Sequence, residues 1–116
     1  MRALPVLAPV NVAAIDERDP NAGNASHLYA IQFGGPKDVL TIQFQHGPRS
    51  AEGSRAGVFE DALLAILEDR LEGFQSGSYA CSENATALSA VQTARGALGL
   101  RVADRMSRSV LGVNAK

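Results

Sequence analysis

Val39-Leu-Thr-Ile-Gln-Phe-Gln45, followed after a polar loop by Val58-Phe-Glu-Asp-Ala-Leu-Leu-Ala-Ile-Leu-Glu-Asp-Arg-Leu-Glu-Gly-Phe74, is where the sequence decides the fold. In the first run Leu40, Ile42 and Phe44 alternate with Thr41, Gln43 and Gln45. A period of two belongs to a strand with one buried face. In the second run Phe59, Leu63, Ile66, Leu67, Arg70 and Phe74 recur at helical spacing, which predicts a helix of about 17 residues from Val58. The chain passes from sheet to helix within the loop His46–Gly57, which holds Gly47, Pro48, Gly53 and Gly57.

Reading outward toward the N-terminus, Gly34-Gly-Pro-Lys-Asp38 is a hairpin loop. It joins the first run to His27-Leu-Tyr-Ala-Ile-Gln-Phe33, where Tyr29, Ile31 and Phe33 share a face. Residues 1–26 are punctuated by Pro5, Pro9 and Pro20, and Asp16–Ser26 is rich in turn formers. An irregular or edge segment is expected there. Reading toward the C-terminus, Gly73 and Gly77 end the first helix, and residues 75–81 connect it to a second. Ser82 fits an N-cap, with Glu83 in the first turn, where the helix dipole favours an anion. Leu88, Val91, Leu98 and Val102 carry the second helix to about Arg105, antiparallel to the first because the connection is short. Gly96 and Gly99 each cost a helix about 1 kcal/mol, and close backbone packing is the expected reason for them. The fold class expected is α+β. A small N-terminal antiparallel β-sheet precedes an antiparallel helical hairpin, in one domain spanning 1–116, with a β-rich part at 1–45 and the hairpin at 58–108.

The composition is globular, with 46% hydrophobic and 20% charged residues. Cys81 is the only cysteine, so no intramolecular disulfide forms, and a reducing cytoplasm is the expected compartment. No apolar run is long enough to cross a membrane. The net charge of −1 argues against a general nucleic-acid binder. It conceals an asymmetry: Arg95, Arg101, Arg105, Arg108 and Lys116 against Asp104 leave +4 on residues 95–116 and −5 on the rest. A basic stripe on a neutral protein suits a small anion or an acidic partner helix.

Few residues offer chemistry. His27, His46 and Cys81 are the soft metal ligands, but they are scattered along the chain without finger-like spacing, so no metal is expected. Cys81 precedes a helix N-terminus, yet nothing supplies a base and an orienter, and it reads as a half-buried structural thiol. Gly34-Gly35-Pro36 is too short for a P-loop and precedes a strand. No paired acid and base sit together, so catalytic residues and cofactors are expected to be absent. Arg101, Arg105 and Arg108 share a helical face at i, i+4, i+7. That face either pairs with Glu60 and Asp61 or presents guanidinium forks to phosphate oxygens. Phe74 and Asn84 flank the hairpin tip, where an aromatic face and an amide could stack on and read a purine. By periodicity alone Phe74 is a core residue.

One resemblance gathers these features. Ile42-Gln-Phe-Gln-His-Gly-Pro48, then Gly53, Gly57, Glu60, Leu63-Leu64, Asp69-Arg70-Leu71, Phe74-Gln75, Gly77, Ala80-Cys81, Glu83-Asn84, Ala87-Leu88 and Arg101 resemble the Thoeris anti-defence protein 1 family. These are phage proteins of the hairpin-domain class shared with anti-CBASS sponges. Asp19-Pro-Asn-Ala-Gly-Asn-Ala-Ser-His27 is similar to the family's N-terminal loop, and the likeness covers about residues 16–112. The ending Arg108-Ser-Val-Leu-Gly112 departs from the family's pattern. The resemblance implies a non-enzymatic sponge in the host cytoplasm that sequesters glycocyclic ADP-ribose, the signal a TIR-domain enzyme makes. Some family members also form hexamers and bind cyclic oligonucleotides at separate sites. Carried over residue by residue, it implies ligand binding by Phe74, Asn84, Arg101, Arg105 and Arg49. The partners expected are cyclic ADP-ribose isomers, with cyclic di- or trinucleotides as a second ligand class, and other copies of the chain in a dimer or hexamer. No membrane or nucleic-acid partner is expected. The alternative is a small oligomeric nucleic-acid-binding or structural phage protein.

Asn84 and Arg101 are 17 residues apart. On one helix that is about 25 Å, more than a small nucleotide spans, so a site using both must join two chains.

Overall fold

The computed structural model describes residues 1–7, 9–47 and 53–107, with side chains as far as residue 104. The chain divides after Val58 into a sheet unit and a helical unit. The sheet unit holds β1 (Arg2–Leu4), β2 (Asn11–Ala14), β3 (Leu28–Gln32) and β4 (Val39–Gln43) in the order β1-β2-β3-β4, every neighbour antiparallel. The hairpin expected from the alternating runs is β3–β4. The N-terminal segment, expected to be an irregular or edge segment, supplies two more strands, with β1 at the edge of the sheet. Its prolines do not interrupt them, because Pro5 and Pro9 fall in the β1–β2 connection, where no ladder N–H is needed.

Register explains the sheet's apolar face. Arg2, Ala14, Tyr29 and Ile42 lie opposite one another in one row, and Leu4, Val12, Ile31 and Leu40 in the next. Directly paired residues share a face, so the two rows make one surface. Ala14 is its fully buried member, while Leu40 remains about half exposed at 52%. Tyr29 meets Phe44 edge to face at 5.6 Å. The β3–β4 loop closes as expected: Phe33 N–H donates to the Asp38 carbonyl and Gly35 N–H to the Asp38 carboxylate.

Beyond β4 the chain turns back on itself. His46 and Arg55 exchange two backbone bonds of 2.9 and 2.8 Å, and Phe44 bridges Val58 in parallel. Gly57 is required here. A Cβ at this position would run into the Gln43 carbonyl oxygen, the Phe44 carbonyl carbon and the Gln45 nitrogen.

The helical unit is α1 (Glu60–Gln75) and α2 (Ser82–Ser107). Asp61, Leu64, Glu68, Leu71 and Gln75 are partly covered on α1, and Asn84, Leu88, Val91, Arg95 and Leu98 on α2. Alternating steps of three and four mark a coiled-coil-like seam between antiparallel helices. Arg95 ties the seam together, its Nε 2.8 Å from Asp61 Oδ1 and its Nη1 3.4 Å from Glu68 Oε1. This hydrogen bond to Arg95 holds the Asp61 carboxyl below the usual carboxylate range. Ser82 is not the cap expected of it. It is the first residue of α2, its hydroxyl turned to Glu83 Oε2, while Asn84 N–H points at Cys81 Sγ, 3.4 Å away. Cys81 is exposed, against the half-buried thiol expected.

No residue of α1 is buried, and Ile66, Leu67, Leu100 and Val102 are 41–76% exposed. Among the described residues nothing lies within 4 Å of where a Cβ would stand on Gly96 or Gly99, so none of them makes the close packing expected there.

Candidate functional site

The tip of the helical hairpin is assembled by local sequence. α1 ends at Gln75 with Ser76 as its C-cap, the Ser76 hydroxyl donating to the carbonyl of Gly73 at 2.8 Å; Gly73 itself lies inside the helix. Gln75 Oε1 accepts from Cys81 N–H at 3.0 Å, which folds the connection against the end of α1. Phe74 is half-buried. Its ring is 5.9 Å from that of Tyr79 at a tilt of 50°, and the Arg70 guanidinium lies 5.3 Å from its centroid. Asn84 Nδ2 donates to the Tyr79 carbonyl at 3.1 Å. Phe74 and Asn84 are thereby joined through Tyr79, itself 71% exposed.

Sequence reasoning named Phe74 and Asn84 and missed Tyr79 and Arg70. The signal for Arg70 was its place one helical turn before Phe74, a pair that meets on any helix. Tyr79 carried no signal, because its orientation depends on the path of the connection. Phe74 is not the sealed core residue that periodicity suggests: one side faces Arg70, and its aromatic neighbour is open to solvent.

α2 is continuous from Ser82 to Ser107, so Asn84 and Arg101 share one rod at the separation of about 25 Å expected. Arg101 is exposed on it. The Arg105 backbone is helical; its side chain, and Arg49 and Arg108 altogether, lie outside the described residues. Asp61, proposed above as a neutralising partner of this stripe, is engaged by Arg95 instead. A shallow groove lined by Asp61, Arg95, Gly96, Leu98, Gly99 and Val102 runs beside that pair.

A second cluster forms in the sheet unit. The two histidines, scattered in sequence, stack with ring centroids 4.1 Å apart and planes within 5° of parallel. The strand topology is the reason. Asp16 follows β2, His27 precedes β3 and His46 follows β4, so antiparallel neighbours bring all three to one end of the sheet. The Asp16 carboxylate accepts from His27 and Leu28 N–H at 3.0 Å. Burial works to raise its pKa, but the backbone donors of Leu28 and His27 outweigh it and hold the group below the ordinary value. His46 Nε2 is 3.0 Å from Asp19 Oδ2, and this hydrogen bond holds Asp19 below the ordinary value. His27 is buried, and among the described residues its Nδ1 has no hydrogen-bond partner. Leaving such an atom unsatisfied costs about 1–3 kcal/mol.

The Acb2/Tad1 hairpin domain family model matches residues 36–103, running from the β3–β4 loop through most of α2. "Thoeris anti-defense 1" of Bacillus phage SBSphiJ7 is 31% identical over 113 residues, covering 96% of this chain and 78% of that protein. With more than half of the chain matched by the family model and nearly all of it by this relative, the chain belongs to the Acb2/Tad1 hairpin domain family.

Proposed function

We propose that this chain is a phage anti-defence sponge, which binds glycocyclic ADP-ribose in the host cytoplasm and withholds it from the Thoeris effector without altering it. The observation that carries the reading is the hairpin tip, where half-buried Phe74, exposed Tyr79 and the Asn84 amide meet on a chain of this family. An aromatic face takes an adenine by stacking, and an amide reads its edge. Arg101 and Arg105, near the far end of α2, supply the phosphate contacts from a second chain, because one rod keeps them too far from Asn84. Arg49 is the third proposed cation. Cyclic di- or trinucleotides are a second ligand class, taken at separate sites.

Oligomerisation follows from the same geometry. The exposed apolar residues of α1 and α2, the open positions at Gly96 and Gly99 and the half-exposed Leu40 all await cover. A dimer with two shared sites, or a hexamer built from such dimers, would provide it. No described helix is long and apolar enough to cross a membrane.

Sequestration needs no general base, and an aromatic, an amide and arginines do not ordinarily act as one at neutral pH. The test is to incubate the protein with glycocyclic ADP-ribose, confirm that free signal disappears, denature by heat and analyse the supernatant. Intact ligand in stoichiometric amount is expected. Recovery of ADP-ribose with turnover beyond one ligand per site would make the protein an enzyme and overturn the proposal.

A further inference from the structure

We infer that Asp16, His27 and His46 form a binding site for a zinc-like divalent transition-metal ion, with Asp19 orienting His46 from behind. One ligand atom from each of the three lies within 4.8 Å of the others. Two imidazoles and one carboxylate make a nitrogen-rich, borderline set that suits zinc, cobalt or nickel, whereas magnesium and calcium prefer oxygen cages. Three protein ligands leave a fourth position for water.

Two independent observations point to an ion and not merely to a packed pair. His27 is 7% exposed and its buried Nδ1 has no hydrogen-bond partner among the described residues. A buried ring nitrogen in such a place is what an ion or a water would satisfy. The Asp19 contact is the other. His46 Nε2 lies 3.0 Å from Asp19 Oδ2, and since a carboxylate oxygen accepts, Nε2 is the donor and the neutral ring keeps its lone pair on Nδ1. A histidine that donates one N–H to a carboxylate while presenting its other nitrogen is the usual outer arrangement of a metal ligand. Asp19 is itself well fixed. Its carboxylate takes Asn21 N–H at 2.9 Å, its carbonyl takes Ala22 and Asn24 N–H, and Gly23 and Asn24 adopt left-handed backbone to close the turn.

The stacked rings must move on loading. The lone pairs of stacked rings lie in two separate parallel planes and so do not converge on one ion, and ligands at about 2.0–2.1 Å from a tetrahedral ion stand closer together than 4.8 Å. The two imidazoles therefore tilt apart and the site contracts. Bound metal would pin the loop between β2 and β3 to the chain leaving β4. The inference does not depend on the sponge reading, since its readout is metal binding alone.

Tag-free full-length protein, stripped with chelator, is titrated with Zn²⁺ by calorimetry and with Co²⁺ by visible absorption. One ion per chain at micromolar affinity or tighter is expected, with the intense d–d bands of four-coordinate cobalt. Cys81→Ser should leave both unchanged, which separates this site from the exposed thiol. His46→Ala should weaken binding by about 100-fold or more, and Asp19→Asn by roughly 10–100-fold as an outer-sphere loss. Zinc should shift the ring resonances of His27 and His46 as the stack opens. His27→Gln is the second ligand test, with His46→Ala decisive if the His27 variant does not fold. Absence of stoichiometric zinc binding at neutral pH would overturn the inference. So would binding that survives His46→Ala or that Cys81→Ser abolishes.

Discussion

Replacing Phe74 with alanine separates a ligand contact from a packing contact, and the structure gives a magnitude for each. In the free protein the ring is half-buried, with one tilted aromatic neighbour and one guanidinium on its face. An aromatic pair contributes about 0.5–1.5 kcal/mol, and an exposed cation–π contact about 0.5–1 kcal/mol. With partial burial of the ring, the expected stability loss is about 2–3 kcal/mol, below the 3–5 kcal/mol of a fully buried phenylalanine. Stacking under a base is worth about 1–3 kcal/mol, so affinity for glycocyclic ADP-ribose should fall roughly 5- to 150-fold. Phe74→Leu should recover much of the stability and little of the affinity, because it restores apolar volume without a π face. Urea unfolding and ligand titration on the same preparations measure both. Wild-type affinity in a folded Phe74→Ala protein would refute the stacking role. A Leu variant that regained affinity together with stability would show that the ring acts only by packing.

Other parts of the molecule make further outcomes testable. Combining Phe74→Ala chains with Arg101→Ala chains should restore some binding after subunit exchange, read by titration, because a fraction of mixed sites is intact. Gly57→Ala should cost more than about 2 kcal/mol in thermal or urea melts, since its Cβ meets backbone atoms of β4 and the residues after it that have little room to move. Gly96→Ala would stabilise an isolated helix by up to about 1 kcal/mol, but in the proposed oligomer it should weaken assembly, which sedimentation velocity measures. Arg95 depresses the Asp61 pKa, so the stability from that pair is present above the unfolded carboxyl value and lost as pH falls through the lower folded value. Urea stability followed from pH 6 downward should therefore fall less steeply below about pH 4 in Asp61→Asn than in the wild type.

The sequence by itself determined the order of elements from β3 onward, because that order is written in local periodicity. The alternation in Val39–Gln45 and the helical recurrence from Phe59 to Phe74 each report a backbone whose side chains repeat over a few residues. It also placed Phe74 and Asn84 at one hairpin tip, since a short connection leaves them nowhere else to be. The strands of the first fifteen residues were not legible. They are short, and their prolines read as breaks until the pairing shows that these lie between strands. Tyr79, Arg95 on Asp61, and the stacked histidines were decided only by tertiary structure. His27 and His46 are far apart along the chain and meet because β3 and β4 run antiparallel, so that the start of one strand adjoins the end of the other. Spacing rules for metal or catalytic motifs assume ligands on one local turn, and they do not register a cluster gathered from the ends of three strands. The seam pairing of Arg95 has the same origin. Composition showed a charge stripe, but only the facing helix determined that Arg95 pairs with Asp61 and that Arg101 is exposed on α2.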